Sequence, residues 1–137
     1  MIDLTTEAGA AVEARLGTEL IVWLTTVTPA GQPQTSPVWF LWDAGEFLVY
    51  SLRVTPRVRN MRANPLVALN LPGDATASDV VTFEGEARIV EDAPLPSGVP
   101  ALVSNYRHLI EEYGWSVEGY AADYPLAIRI RPTRLRR

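Results

Sequence analysis

Two glycine-containing turns divide residues 20–52 into three short apolar segments, and this pattern constrains the fold more than any other feature. The segments are rich in β-branched and aromatic residues, which favour strands, and they cover residues 20–28, 34–42 and 47–52. Pro29–Gly31 and Asp43–Gly45 supply the turns. Because connections this short join antiparallel neighbours, the sequence predicts a β-meander. Pro37 cannot donate to a strand ladder, so the second strand is predicted to lie at an edge or to contain a bulge.

The rest of the chain alternates between predicted helices and strands. Their predicted bounds are 8–17, 56–64, 101–113 and 117–123 for helices, and 66–71, 80–90 and 126–130 for strands. Thr5 or Thr6 is expected to cap the first helix and Thr55 the second. Strand 66–71 is expected to be buried on both faces, whereas 80–90 alternates between a buried and a wetted face. We therefore predict a mainly β protein: one domain over residues 1–137, about six antiparallel strands in a closed or nearly closed barrel, and peripheral helices.

Composition excludes several common chemistries. The chain has no cysteine, so it has neither disulfides nor a thiolate that could bind metal or attack a substrate. Its one histidine, His108, lies among charged residues of a predicted helix and is interpreted as a surface residue rather than a base or a zinc ligand. The sequence contains no nucleophile elbow, Walker loop or dinucleotide-binding glycine motif.

Hydropathy and net charge limit the kinds of molecule that the protein is expected to interact with. No apolar run approaches the roughly 18 residues needed to span a bilayer, and the N-terminus does not resemble a signal peptide. We therefore expect a cytoplasmic protein that does not enter a membrane. The net charge of −4 argues against a nucleic-acid partner. The twelve basic residues are all arginine, however, and nine of them fall in two stretches without any acid, 47–73 and 124–137.

The first of these stretches contains the components of an anion site. Arg53 follows the third strand, Thr55 and Pro56 begin a short helix, and Arg57 lies in its first turn. Backbone N–H groups at a helix N-terminus and a forked guanidinium both bind phosphate well. The alternative is a capped surface helix whose arginines are solvated.

Aromatic residues in the meander offer a place for a flat ring. Trp39 and Trp42 are three residues apart in the predicted second strand, so they should project to opposite faces. Tyr50 lies in the next strand, and Trp115 is interpreted as an interface or pocket-lid residue. Packing in a core or in a dimer interface is the alternative for each of them.

Four segments give the sequence a recognisable family resemblance. They are Gln34–Phe40, Tyr50–Ser51, Thr55–Pro65 and Phe83–Arg88. Together they resemble the pyridoxamine 5′-phosphate oxidase-like superfamily, and within it the actinobacterial branch of enzymes that use the deazaflavin coenzyme F420. The resemblance implies a split β-barrel that forms a homodimer, with two equivalent cofactor sites at the subunit interface.

The resemblance also implies site residues and an activity. The residues matching the family's cofactor site are Ser36, Pro37, Val38, Trp39, Tyr50, Ser51, Arg53, Thr55 and Arg57, with Thr55 and Arg57 at the phosphate. The implied reaction is hydride transfer from reduced F420 to an unsaturated small molecule, with a proton from Tyr50, Tyr106 or water. An FMN-dependent oxidase or flavin reductase, and a non-catalytic cofactor-binding protein, are the alternatives. No metal is expected.

Overall fold

The computed structural model describes residues 2–136, which form one seven-stranded sheet and four α-helices. In chain order the elements are α1 (Glu7–Thr18), β1 (Ile21–Val27), β2 (Pro33–Trp39), β3 (Leu41–Asp43), β4 (Glu46–Ser51), α2 (Pro56–Ala63), β5 (Leu66–Asn70), β6 (Thr82–Val90), a 3-10 turn (Pro96–Gly98), α3 (Pro100–Glu112), α4 (Val117–Asp123) and β7 (Leu126–Arg136). The strand order is β2-β1-β5-β6-β7-β4-β3, and every neighbouring pair is antiparallel. None of the helices described is both long and apolar enough to cross a bilayer.

The predicted second strand is in fact two strands, β2 and β3. The chain pairs with β1 up to Trp39, passes through Phe40, and then pairs with β4 from Leu41. The Phe40 N–H donates to the Tyr106 hydroxyl at 2.9 Å, and that hydroxyl in turn lies 2.7 Å from the Phe40 carbonyl. β2 and β3 are the two edges of the sheet, yet Phe40 alone separates them in the chain. The sheet must therefore curl until its edges meet, which produces the split barrel and brings the strand count to seven.

The barrel interior holds the main apolar core. Phe40, Phe47 and Phe83 pack there with ring centroids 5.5 and 5.2 Å apart, and α1 and α2 add buried residues such as Leu16 and Val58. The predicted alternation of residues 80–90 is confirmed, because the odd-numbered positions 81–87 are buried while Glu84, Glu86 and Arg88 are exposed.

A second apolar layer covers one end of the sheet's outer face. Helices α3 and α4 bury Leu102, Tyr106, Ile110 and Tyr120 against β3, β4 and Ala127 of β7. This layer matters for function because its edge, together with β2 and β4, leaves a cleft.

The expectation that residues 66–71 are buried on both faces is wrong. Val67 and Leu69 point into the barrel, whereas Leu66 is 61% exposed and Ala68 is also exposed. Strand β5 forms part of a one-layer wall at this position, so nothing within residues 2–136 covers its outer face. The last strand is longer than predicted, reaching Arg136, because β7 pairs with the whole of β6.

Candidate functional site

An aromatic cleft of about 350 Å³ lies where β2, β4 and α2 meet the α3–α4 layer. Its lining residues are Pro37, Val38, Trp39, Tyr50, Arg57, Tyr113, Trp115, Tyr120 and Tyr124. Clefts that bind small molecules typically enclose about 300–1,000 Å³ and combine apolar walls with a few polar groups. A cavity of similar volume, about 340 Å³, opens between α1 and the end of β7, but Asp3 accompanies Arg134 there and its lining has no aromatic ring.

A second, polar pocket of about 250 Å³ adjoins the aromatic cleft. It is lined by Thr26, Gln34, Thr35, Ser36, Thr55, Pro56 and Arg57. Arg57 belongs to both linings, so its guanidinium lies at the junction of the two cavities. Hydroxyl groups and one cation therefore meet a set of aromatic rings, which is an arrangement suited to a ligand with an anionic part and a flat part.

Arg57 is held in place but not neutralised. Its Nη1 donates to Ser36 Oγ at 2.7 Å, while Nε is buried and has no hydrogen-bond partner among the described residues. Burial lowers the pKa of the guanidinium, an effect that the nearby Tyr124 phenol partly opposes. A desolvated donor without a partner costs about 1–3 kcal/mol, and an anion bound here would remove that cost.

The start of α2 contributes fewer free amide protons than the sequence suggests. Thr55 caps the helix as predicted, since its hydroxyl oxygen accepts from the Val58 N–H at 3.0 Å. Pro56 has no N–H, and the Arg59 N–H donates to the Thr55 carbonyl at 3.0 Å. The Arg57 N–H is thus the one first-turn donor for which the described chain shows no acceptor. In this pocket, the side-chain groups available to an anion are mainly the Arg57 guanidinium and the hydroxyls of Ser36 and Thr55.

A buried amide fixes α2 against the sheet. Asn60 is 4% exposed, and its Nδ2 donates to Thr26 Oγ1 at 2.9 Å and to Gln34 Oε1 at 3.0 Å. These bonds tie the helix that carries Arg57 to β1 and β2. Sequence reasoning did not single out Asn60; the available signal was a polar residue beside the inward-facing Val58 and Met61 of a short helix.

Trp39 forms the floor of the aromatic cleft. Its ring stacks on Tyr106 with centroids 4.7 Å apart and planes 12° apart, and it contacts Tyr120 at 5.4 Å. Trp42 packs instead on Phe47 against the barrel core, at 5.1 Å. The prediction that the two tryptophans project to opposite faces is confirmed.

Two of the candidate proton donors already have acceptors. The Tyr50 hydroxyl donates to the Pro94 carbonyl at 2.6 Å. Tyr106 is 1% exposed, is absent from the cleft lining, and its hydroxyl lies among three backbone groups of Leu20 and Phe40. Burial raises the pKa of both phenols, that of Tyr106 to about 12. Tyr106 therefore has a structural role at the corner between β2 and β3.

The structure brings most of the predicted site residues together. Five of them line the aromatic cleft, and Ser36 and Thr55 line the polar pocket with Arg57. Ser51 is buried with its hydroxyl donating to the Leu52 carbonyl at 2.9 Å, and Arg53 is exposed; neither lines either cavity. In the aromatic cleft, the lining residues that were not predicted as site residues include Tyr113, Tyr120 and Tyr124.

Three arginines of the second acid-free stretch, residues 124–137, form ion pairs. Arg129 binds Asp43 at 2.6 Å, Arg131 binds Glu86 at 3.3 Å, and Arg136 binds Glu84 at 3.0 Å. These carboxylates come from β3 and β6, so the strand pairing supplies them even though the stretch itself contains none.

The fold is a split barrel with two adjoining cavities, and comparison with known proteins gives the family. The family model described as pyridoxamine 5′-phosphate oxidase matches residues 8–136. The chain belongs to this family. A comparison with curated protein sequences found no match.

Solved structures with the same fold have several different descriptions. One described as an F420 reductase is 28% identical, with 90% of this chain and 94% of that chain covered and a TM-score of 0.67. HutZ, a haem storage protein from Vibrio cholerae, is 20% identical over 93% of this chain and 92% of its own, with a TM-score of 0.65. An FAD-binding protein from Mesorhizobium loti is 16% identical over 92% and 89%, with a TM-score of 0.64. The last two show the fold alone.

Proposed function

We propose that the chain is an oxidoreductase that binds coenzyme F420 across the two cavities and delivers hydride to an unsaturated small molecule. The observation that carries the proposal is the position of Arg57, a half-buried cation with an unpartnered Nε at the junction of a hydroxyl-lined pocket and an aromatic cleft. The carrier must be anionic at one end and planar at the other, which describes F420 and FMN alike.

The residues divide by role. Arg57, Ser36 and Thr55 would hold the phosphate, and Pro37, Val38, Trp39 and Tyr50 would position the ring. Arg53 lies just before the helix, where it would meet the cofactor tail, and the assignment of Ser51 stays a prediction from family resemblance. The deazaflavin supplies two-electron hydride transfer when bound; the protein orients it and excludes water from the cleft.

F420 is preferred over FMN because the solved structure described as an F420 reductase is more similar in sequence than the FAD-binding one. FMN stays the alternative, since the same junction would hold its phosphate. Haem is less well supported, because His108 is exposed on α3 and lines neither of the two cavities.

The test is equilibrium binding of F420 and FMN, measured by fluorescence at matched ionic strength. Arg57→Met should weaken binding of the preferred cofactor by about 1.5–3 kcal/mol, the value of a hydrogen bond to a charged group and roughly 10- to 150-fold in affinity. Arg59→Met removes the same charge from an exposed position on α2 and is the matched control, expected to change affinity less than threefold. Unchanged affinity in Arg57→Met would contradict the phosphate assignment.

The proposal includes a homodimer, which an uncovered apolar face supports. We define the outer apolar face by Ile21, Trp23, Val27, Leu66 and Ala68, which point away from the barrel core on β1 and β5. Trp23 is 36% exposed and pairs across the ladder with Pro37, a residue of the aromatic cleft. Exposed apolar patches commonly mark interfaces, so a second copy seated here would border the cofactor site.

Light scattering coupled to size exclusion tests the dimer. The wild-type chain should be a dimer, and Leu66→Glu should shift it to monomer because a carboxylate would lose its water in the interface. Val80→Glu changes a residue of 47% exposure away from this face and should leave the dimer intact. A dimer that persists in Leu66→Glu would exclude this face.

A further inference from the structure

Four side-chain oxygens at the polar pocket accept hydrogen bonds from the chain's own donors. The distances are 2.7–3.0 Å, and the oxygens belong to Ser36, Thr55, Thr26 and Gln34. A hydroxyl that accepts a bond still has its own proton to donate. Among the described residues, the pocket lining includes no carboxylate, and its one side-chain carbonyl oxygen, on Gln34, is already in use. The side chains of this pocket therefore offer a ligand donors rather than acceptors.

Asn60 decides which end of the Gln34 amide is free. Thr26 and Gln34 are direct partners across the β1–β2 ladder, so both side chains lie on the face toward α2. Asn60 is 4% exposed, and its Nδ2 donates to Thr26 Oγ1 at 2.9 Å and to Gln34 Oε1 at 3.0 Å. These two bonds use both protons of the Asn60 amide. The Gln34 oxygen is thereby turned toward Asn60, and its NH2 group is left to face solvent or a ligand.

We propose that Asn60 is a positioning residue that keeps the polar pocket a donor-only site, and that the pocket therefore selects an oxyanion without a proton over a protonated oxyanion of equal charge. The inference rests on the proposed function, because it refines the phosphate assignment. Arg57 keeps its charge in proteins and can only donate. A proton on the ligand would meet such donors, and a hydroxyl could accept it only by turning its own proton away from the anion.

Two probes of the same shape and charge isolate the effect of one proton. At about pH 6, methanesulfonate and methylphosphonate each carry one negative charge, but only the phosphonate retains a proton. Their affinities for the whole chain, prepared without cofactor, can be measured by NMR titration of the Arg57 Nε–H signal. Methanesulfonate should bind about three- to tenfold more tightly, as expected when the protonated probe loses one hydrogen bond. Equal affinities, or no binding of either probe, would overturn the inference.

Asn60→Asp separates positioning from a merely structural role. A carboxylate cannot donate, so Gln34 should turn its NH2 group toward residue 60 and present its oxygen to the pocket, where it can accept the phosphonate proton. The added charge repels both probes equally, so only their ratio is informative, and the preference should fall below twofold. Asn64→Asp is the matched control: Asn64 Oδ1 accepts from the Leu66 N–H at the end of α2, and a carboxylate can do the same. It should retain the wild-type ratio. Loss of affinity for both probes with an unchanged ratio would overturn the inference.

Gln34→Met tests the same idea if Asn60→Asp does not fold. It removes the freed NH2 group and should weaken methanesulfonate binding about two- to tenfold, the value of one hydrogen bond. Gln32→Met is its control, because Gln32 donates to the Pro33 carbonyl and does not line the pocket. Unchanged affinity in Gln34→Met would contradict the inference. If Arg57→Met weakens cofactor binding but Gln34→Met does not weaken methanesulfonate binding, this inference fails alone; if Arg57→Met also leaves cofactor affinity unchanged, the proposed function fails with it.

Discussion

The two acid-free arginine stretches look alike in sequence, but Arg57 of the first differs from the paired arginines of the second. On β7, Arg129, Arg131 and Arg136 each meet a carboxylate from another strand of the sheet. On α2, Arg57 meets a serine hydroxyl and keeps a buried Nε without a partner in the described chain. The first set is part of the sheet's own stabilisation. The second is a cation at the edge of a cleft, with a hydrogen-bond donor that the described chain leaves without an acceptor.

The difference shows that a run of one charge says little until its spatial neighbours are known. Glu84, Glu86 and Asp43 lie more than 40 residues from the arginines that they bind. Strand register brings them together, because Glu86 pairs directly with Arg131 across the β6–β7 ladder. On α2, Arg62 pairs with Glu91 at 3.2 Å, whereas Arg57 has no carboxylate partner in the described part of the chain and stays available for a ligand.

A difference in stability should separate the two regions. Arg129 is 23% exposed and bonds both Asp43 and Glu46, so Arg129→Met should lower the free energy of unfolding by about 1–2 kcal/mol. Arg57→Met removes a cation that burial disfavours and should change it by less than about 1 kcal/mol. Chemical denaturation of both variants checks this.

For cofactor affinity the order of the two variants should be reversed: Arg57→Met should lose more affinity than Arg129→Met. Arg129→Met is expected to bind F420 or FMN within twofold of wild type, since Arg129 lines neither of the two cavities. If Arg57→Met proved the less stable variant and Arg129→Met the weaker binder, the assignment of structural and binding roles would have to be exchanged.

Much of the fold was predictable because the turns are local. The glycine and asparagine–proline signals place the strand and helix ends within a few residues, and the alternation of 80–90 is correct. The split at Phe40 was not predictable, since its cause is a hydroxyl of Tyr106, 66 residues away. The exposure of Leu66 was not predictable either. An apolar residue looks the same in the sequence whether it is buried by its own chain or by a partner subunit.

The candidate site likewise contains residues that the sequence predicted and residues that it did not. Ser36, Thr55 and Arg57 belong to short motifs and line one pocket, although the resemblance placed only Thr55 and Arg57 at the phosphate. Tyr120 and Tyr124 come from a helix that no motif marks, and only the packing of α4 on Trp39 and Tyr106 makes them part of the cleft. Their i, i+4 spacing was visible in the sequence but is equally typical of an ordinary buried helix face.

Acid sensitivity is the smallest expected effect, and one contribution to it comes from Glu46, which bonds Arg129 of the paired region. The hydrogen bond from Arg88, outweighing partial burial, holds the pKa of Glu46 below its ordinary value of 4.5, with a further contribution from Arg129. A carboxyl with a depressed folded-state pKa stabilises the protein fully above the unfolded value and loses that contribution as pH falls through the folded value. Stability should therefore decline below about pH 4.5.

Arg88→Met isolates that contribution. Without the Arg88 guanidinium, the pKa of Glu46 should move back toward 4.5, so the difference in unfolding free energy between pH 6 and pH 3.5 should shrink relative to wild type. Arg57→Met, which alters no carboxylate pair, should retain the wild-type difference. If both variants flattened the pH profile equally, Arg57 would have a carboxylate neighbour in solution, and the contrast between a paired arginine region and an open one would fail.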